Sequence, residues 1–171
     1  MSDERAPAHT DDEQIAALRA LAEGRLADWP GLLPGCGRPH AEAALGPSGA
    51  GPDGAGWLGP SPAAFRHYPP APIGPYGIVV WYAGDAVLLI EINTPHLDAP
   101  PEALLGPPEA TAPSRLDGLH SQLIYARRGL TIHLHTYTRA LRRIYAYTPT
   151  SAEAFLASPL SQVAIGREAR G

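Results

Sequence analysis

Two stretches of this chain repeat one another, and that repetition narrows the folds open to it. Gly77-Ile-Val-Val-Trp-Tyr82 aligns with Gly129-Leu-Thr-Ile-His-Leu134. Ile90-Glu-Ile-Asn-Thr-Pro95 aligns with Ile144-Tyr-Ala-Tyr-Thr-Pro149. The second copy is two residues longer between its Gly and its Pro, which fits a longer hairpin turn. Upstream of each copy stands the same tag, Ala44-Leu-Gly-Pro47 and Leu104-Leu-Gly-Pro107. A short apolar or amphipathic stretch precedes each tag, Pro39 to Leu45 and Pro100 to Leu105. Gly just past the last helical residue, followed by Pro, stops a helix. Each unit therefore reads as a short helix, a stop, a loop and a meander of strands, in the manner of an internal duplication.

A helix ending in Leu-Gly-Pro, then strands, a tight turn and a closing strand, resembles the β-lactamase-inhibitor-protein type of domain. That type includes a tandem-repeat inhibitor and the single-domain outer-membrane assembly lipoproteins of the SmpA/OmlA kind. The resemblance covers about residues 39–149. It implies an antiparallel sheet backed by helices, with the other face of the sheet binding a protein. This sequence lacks the lipoproteins' N-terminal lipidation cysteine and the secreted inhibitor's paired cysteines. Neither location nor target is carried over.

The 171 residues suffice for one domain, or two small ones in tandem, with a buried core. A net charge of −4 argues against a nucleic-acid-binding surface. Every basic residue is Arg, and Ala, Gly and Pro abound, which points to a GC-rich bacterial genome. The single cysteine, Cys36, rules out an internal disulfide framework. The acidic, polar start does not read as a signal peptide, and no run of 18 apolar residues offers a membrane span. The expected location is the cytoplasm.

Residues 1–9 are expected to be disordered. Thr10 and Glu13 have capping-box spacing, and Ile15, Leu18, Leu21, Ala22 and Leu26 follow at helical intervals, so a helix is predicted from Asp11 to about Ala27. With the loop after it, this makes a segment 10–38. Unit one spans 39–95 and unit two 96–150. Segment 46–76 holds 15 Gly or Pro among 31 residues, a density that predicts a long loop without regular structure. Trp57, Phe65 and Tyr68 would pin that loop to the core. Strands are predicted at Tyr76 to Ala83, Ala86 to Asn93, Leu119 to Ala126, Leu130 to Thr136 and Leu141 to Tyr147. A second short helix falls within His96 to Leu105, followed by a loop from Gly106 to Asp117. Thr150 and Glu153 have capping spacing again, so Ala152 to Ala157 should be helical within a terminal segment 151–171. The fold class is α+β, with helices packed on one face of the sheet.

Alternation along the strands divides the side chains between two faces. Ile78, Val80, Tyr82, Ile90, Ile92, Leu130, Ile132, Leu134 and Ile144 fall on the face assigned to the helices. Val79, Trp81, Leu89, Glu91, Thr131, His133, His135, Arg143, Tyr145 and Tyr147 fall on the other. The expected contact residues are Trp81, Glu91, His133, His135, Arg143, Tyr145 and Tyr147. Trp, Tyr and Arg dominate the energetics of interface centres. An ordinary half-solvated face, with its aromatics covered by the Gly/Pro loop, reads the same way.

His133-x-His135 is the one local pattern with metal-ligand spacing, and Glu91 or His120 are the candidates for a third ligand. Two strand histidines facing solvent give the same pattern, so no metal is expected. No nucleophile elbow, phosphate loop or dinucleotide fingerprint is present. Arg127, Arg128, Arg139, Arg142 and Arg143 form a small basic cluster suited to an acidic partner or to a solvated edge. The favoured function is a non-enzymatic, intracellular protein- or peptide-binding factor (inhibitor, immunity-like or accessory protein) without a cofactor. The alternative is a small metal-assisted hydrolase or cyclase around His133 and His135.

Overall fold

The computed structural model describes residues 12, 16, 19–21, 23, 34–45, 54–58, 61–68, 77–93, 100–114, 118–162 and 166–167. The chain order is α1 (Arg38–Leu45), β1 (Gly54–Leu58), β2 (Ser61–Tyr68), β3 (Ile78–Ala83), β4 (Ala86–Asn93) and α2 (Pro101–Leu105). It continues with β5 (Ala110–Pro113), β6 (His120–Tyr125), β7 (Leu130–His135), β8 (Leu141–Ala146), α3 (Ala152–Ala157) and β9 (Gly166–Arg167). Of the predicted N-terminal helix, Asp12, Ala16 and Arg19–Leu21 are helical. Glu23 lies in a turn, its N–H donating to the Arg19 and Ala20 carbonyls, and the other residues of that helix and the tail before it lie outside the described residues.

The described strands form one antiparallel sheet in the order β5-β6-β7-β8-β4-β3-β2-β1-β9. β1 to β4 pair in chain order, as do β5 to β8, because each turn joins neighbours. The two runs meet at a seam where β4 pairs with β8, Glu91 opposite Tyr145 and Ile92 opposite Ile144. Each of the two hairpins beside the seam carries a bulge. Trp81 faces Leu89 but Tyr82 faces Val87, leaving Leu88 as the extra residue. His133 faces Arg143 but Leu134 faces Leu141, leaving Arg142 as the extra residue.

Period-two alternation places the first core as the sequence indicates. Ile78, Val80, Tyr82, Ile90, Ile92, Leu130, Ile132, Leu134 and Ile144 are buried together with Ala41 and Leu45 of α1 and Leu105 of α2. Pro101 opens α2 where its missing N–H costs nothing, and Gly106 closes it at φ 79°. Ser151 caps α3 by accepting from the Ala154 N–H, one residue later than the Thr150 spacing suggests.

The second face is a core as well, which corrects its assignment as an open contact surface. Val79, Trp81, Leu89, Tyr145 and Tyr147 are buried with Leu58, Phe65, Ile124 and Phe155. Phe155 of α3 stacks on Tyr147 at 4.7 Å, so a helix lies on this side too. The Gly/Pro-rich segment contributes strands rather than a long loop. Its glycines serve packing: a Cβ on Gly56 would stand 2.9 Å from the Trp81 ring, and one on Gly54 would run into Phe65. Bare backbone leaves room for both rings beside β1. Phe65 and Tyr68 are buried as expected, on β2, with the Tyr68 hydroxyl 2.9 Å from that of Tyr82. β5 likewise replaces part of the loop expected at 106–117, and Pro113 ends it where an edge strand tolerates a missing donor.

Candidate functional site

A line of polar side chains crosses the buried second face. The indole N–H of Trp81 on β3 donates to Glu91 Oε2 on β4 at 3.3 Å. Glu91 Oε1 lies 3.0 Å from Arg143 Nη1 across the seam on β8. Arg143 stands directly opposite His133 on β7. His133 Nδ1 is 2.9 Å from Ser114 Oγ, just past β5. Gln122 on β6, opposite His133, donates from Nε2 to the Pro113 carbonyl. Alternate strand positions put these side chains on one face, and the cross-strand register aligns them.

Burial sets the chemistry of this row. Trp81 and Glu91 are 0% exposed, Tyr145 1% and His133 4%, while the Arg143 side chain keeps 21%. Burial pushes the His133 imidazole down to about 3, helped by the positive charge of Arg143 and by His120. His133 is therefore neutral across the physiological range and a weak base. Its ring tilts over Tyr145 with 4.4 Å between centroids, and Nε2 has no hydrogen-bond partner among the described residues.

The lowered value has a consequence for stability. Between about pH 6.5 and 3 the unfolded chain binds a proton at His133 that the folded chain refuses. Stability contributed by neutral His133 is thus complete above the unfolded value and falls as pH drops, by at most about 1.4 kcal/mol per pH unit. Urea unfolding of the parent and of His133→Asn across that window checks it. The parent should lose stability more steeply; equal slopes would show that His133 is not held neutral by the fold.

Six of the seven expected contact residues, Trp81, Glu91, His133, Arg143, Tyr145 and Tyr147, lie within or beside this interior row. Tyr147 is tied down, its hydroxyl 2.8 Å from Thr131 Oγ1 and donating to the Leu130 carbonyl. His135 alone reaches the rim. Its ring lies 5.4 Å from that of His120 and 6.0 Å from that of Tyr137, and its Nδ1 accepts from the Thr138 N–H. Among the described residues no group of three His, Cys, Asp or Glu is placed to hold a metal ion. Both oxygens of Glu91, a candidate third ligand, face Trp81 and Arg143 instead.

Reading strand alternation alone misses two groups of residues. Ser114 and Gln122 complete the buried row, and nothing local marks them. Leu119 and Tyr137 stand out at the rim, 55% and 81% exposed. The Thr136 N–H, one residue before Tyr137, donates to the Leu119 carbonyl. The signal for Tyr137 was present in the sequence as a large aromatic between two threonines in the longer hairpin turn.

No family model matches this sequence, and no curated protein matches it. Among solved structures, it is similar to a DUF4309 family protein (YjgB) from Bacillus subtilis. The identity is 16% and the TM-score 0.53, over 80% of this chain and 97% of that one. The likeness is one of fold. Among the described residues no helix is long and apolar enough to cross a membrane.

Proposed function

We propose that this chain is a tandem duplication that acts as a non-enzymatic protein- or peptide-binding factor, docking its partner on the tip of the β7–β8 hairpin. The exposure of Tyr137 carries the reading, since this large, apolar-bodied side chain stands 81% exposed at the hairpin tip. Tyr is among the side chains that concentrate binding energy.

Several observations support the duplication. The aligned glycines Gly77 and Gly129 both have positive φ, at 93° and 68°, and precede β3 and β7. Their carbonyls accept from aligned residues, Asn93 and Tyr147. The bulged residues Leu88 and Arg142 also align, each two residues before the matched Ile90 or Ile144. Glu91 aligns with Tyr145, and these two face each other across the seam, as a twofold relation between units requires. A helix with Leu-Gly-Pro precedes each run of four strands, in keeping with the resemblance to the β-lactamase-inhibitor-protein type.

The copies differ most at the hairpin tips. In the first, β3 turns to β4 through Gly84 and Asp85, and Gly37 and Arg38 bond to this turn. In the second, residues 136–140 form a longer turn that exposes Tyr137. The binding role therefore moves from the sheet centre, where Trp81 and Tyr145 are buried, to this tip. The enzyme alternative draws on the unpartnered Nε2 of His133, but an imidazole of such low basicity suits general-base chemistry poorly.

Selection from a displayed random-peptide library tests the proposal. Peptides enriched on the parent should lose roughly 2 kcal/mol of binding to Tyr137→Ala. Folding stability of that variant should stay within about 0.5 kcal/mol of the parent. Enriched peptides that bind both proteins equally would sink the assignment of the tip.

A further inference from the structure

The turn that carries Tyr137 is held by its own backbone and by one imidazole. The His135 N–H donates to the Ala140 carbonyl, and the Arg139 N–H donates to the His135 carbonyl, each at 2.9 Å. Inside that frame the Thr138 N–H donates to His135 Nδ1 at 3.2 Å. A backbone N–H can only donate, so Nδ1 presents its lone pair and the proton of the neutral ring sits on Nε2. The Ala140 N–H in turn donates to Thr138 Oγ1 at 3.4 Å. These bonds oppose a local cost, because Arg139 takes the left-handed backbone at φ 60° although it carries a Cβ.

The surroundings of His135 decide what a proton does there. Among the described residues, the groups facing its ring are His120 from β6, with 5.4 Å between centroids, and Tyr137 from the turn, with 6.0 Å. His133, two residues back on β7, is enclosed and neutral, and Arg143 of β8 stands opposite His133. Arg139 directs its guanidinium to Glu102 of α2. No carboxylate among the described residues pairs with the His135 ring. The ring is half-buried, unlike that of His133, so water can deliver a proton to it. In the first copy Ala83 aligns with His135, so the shorter turn there holds no such acceptor.

On this ground we infer that His135 is an acid-sensitive latch on the docking tip: its neutral ring fixes the turn beneath Tyr137 through the Thr138 N–H, and a proton taken at Nδ1 releases it. The inference rests on the docking reading above and adds how that site is regulated. A protonated Nδ1 is itself a donor, so two N–H groups would face one another and the ring or the peptide must swing away. The bond is therefore complete while His135 is neutral and is lost as pH falls. By linkage, a ligand that needs the closed turn binds more weakly in acid, by at most about tenfold per pH unit for one proton. The same bond opposes a metal ion at Nε2, which would require the proton on Nδ1.

The test titrates the full chain by NMR, with a chelator present, from roughly pH 8 to 5. At the upper end the His135 imidazole should show its proton on Nε2 and a scalar coupling through the bond to the Thr138 nitrogen. That coupling should vanish as pH falls, while the Thr138 amide and Tyr137 ring signals follow the one-proton curve of His135. In His135→Asn, whose side-chain oxygen accepts in place of Nδ1 and does not titrate, both signals should stay flat. His120→Asn should leave the parent's curve in place. A Thr138 amide that ignores the protonation of His135, or that moves alike in His135→Asn, overturns the latch. A library-selected peptide should then bind the parent at least about fivefold more weakly at roughly pH 5.5 than at 7.5, and His135→Asn with less than about twofold change. Affinity that stays constant in the parent overturns the control of docking, even with the bond confirmed. Peptides indifferent to Tyr137→Ala overturn the docking reading instead, and the NMR titration then judges the latch by itself.

Discussion

Trp81→Ala is expected to destabilise the protein by roughly 3–5 kcal/mol, the range for removing a fully buried large aromatic. Trp81 is wholly enclosed on the second face. Its ring packs on Phe65 with 4.8 Å between centroids and lies against Gly56, while its N–H meets Glu91. Truncation leaves a void between β1 and β3 and removes a donor from a buried carboxylate. Trp81→Phe keeps most of the volume and should cost much less. Urea unfolding followed by circular dichroism measures both. A Trp81→Ala variant within about 1 kcal/mol of the parent would mean that this side chain stands on an open face, where it would be available to a partner.

Glu91→Leu should cost a similar amount, roughly 3–5 kcal/mol, because it strands a partly buried guanidinium beside a protonation-resistant histidine. The expectation sits toward the lower end, since the Arg143 side chain retains 21% exposure and water reaches part of it. The double variant Glu91→Leu with Arg143→Leu should recover much of the loss, because a packed apolar pair avoids the desolvation of both charges. A double-mutant cycle in urea makes the comparison. Additive losses would show that the two side chains act independently, against the 3.0 Å contact between them.

The face assignments illustrate what alternation along a strand conveys. It separated Ile78, Val80 and Tyr82 from Val79 and Trp81, and both sets lie as the period requires. It did not say that both faces are covered. Phe155 of α3 lies against the second face from far along the chain, and Leu58 and Phe65 of β1 and β2 complete that core from the same sheet. Glu91 and His133 look like surface residues in a strand whose other face is apolar, yet their partners are Trp81 and Arg143 on other strands and Ser114 just past β5. β1 escaped notice because Gly54 and Gly56 carry no pattern; their value lies in the rings they admit. By contrast, β3, β4, α2 and α3 are stated locally, by β-branched runs, by Pro at the helix start and by a hydroxyl cap.

The seam between β4 and β8 bears on how copies of this chain avoid one another. Among the described strands, all other pairings except the short β1–β9 contact join strands consecutive in the chain, while β4 and β8 meet across about fifty residues. Loop closure of that length comes late relative to local hairpins. Until it does, β4 and β8 are bare edges, and a bare apolar edge is a template for the same edge of a neighbouring molecule. In the register of the seam, an antiparallel β4–β4 contact would centre on Glu91 and press two carboxylates together in an apolar setting. Two β8 edges in that register would centre on Tyr145 and set each Arg143 opposite Tyr147, with no carboxylate to pair with. Only β4 against β8 joins opposite charges. The buried ion pair, doubtful as a source of net stability, thereby selects the correct mate for each edge and penalises self-association.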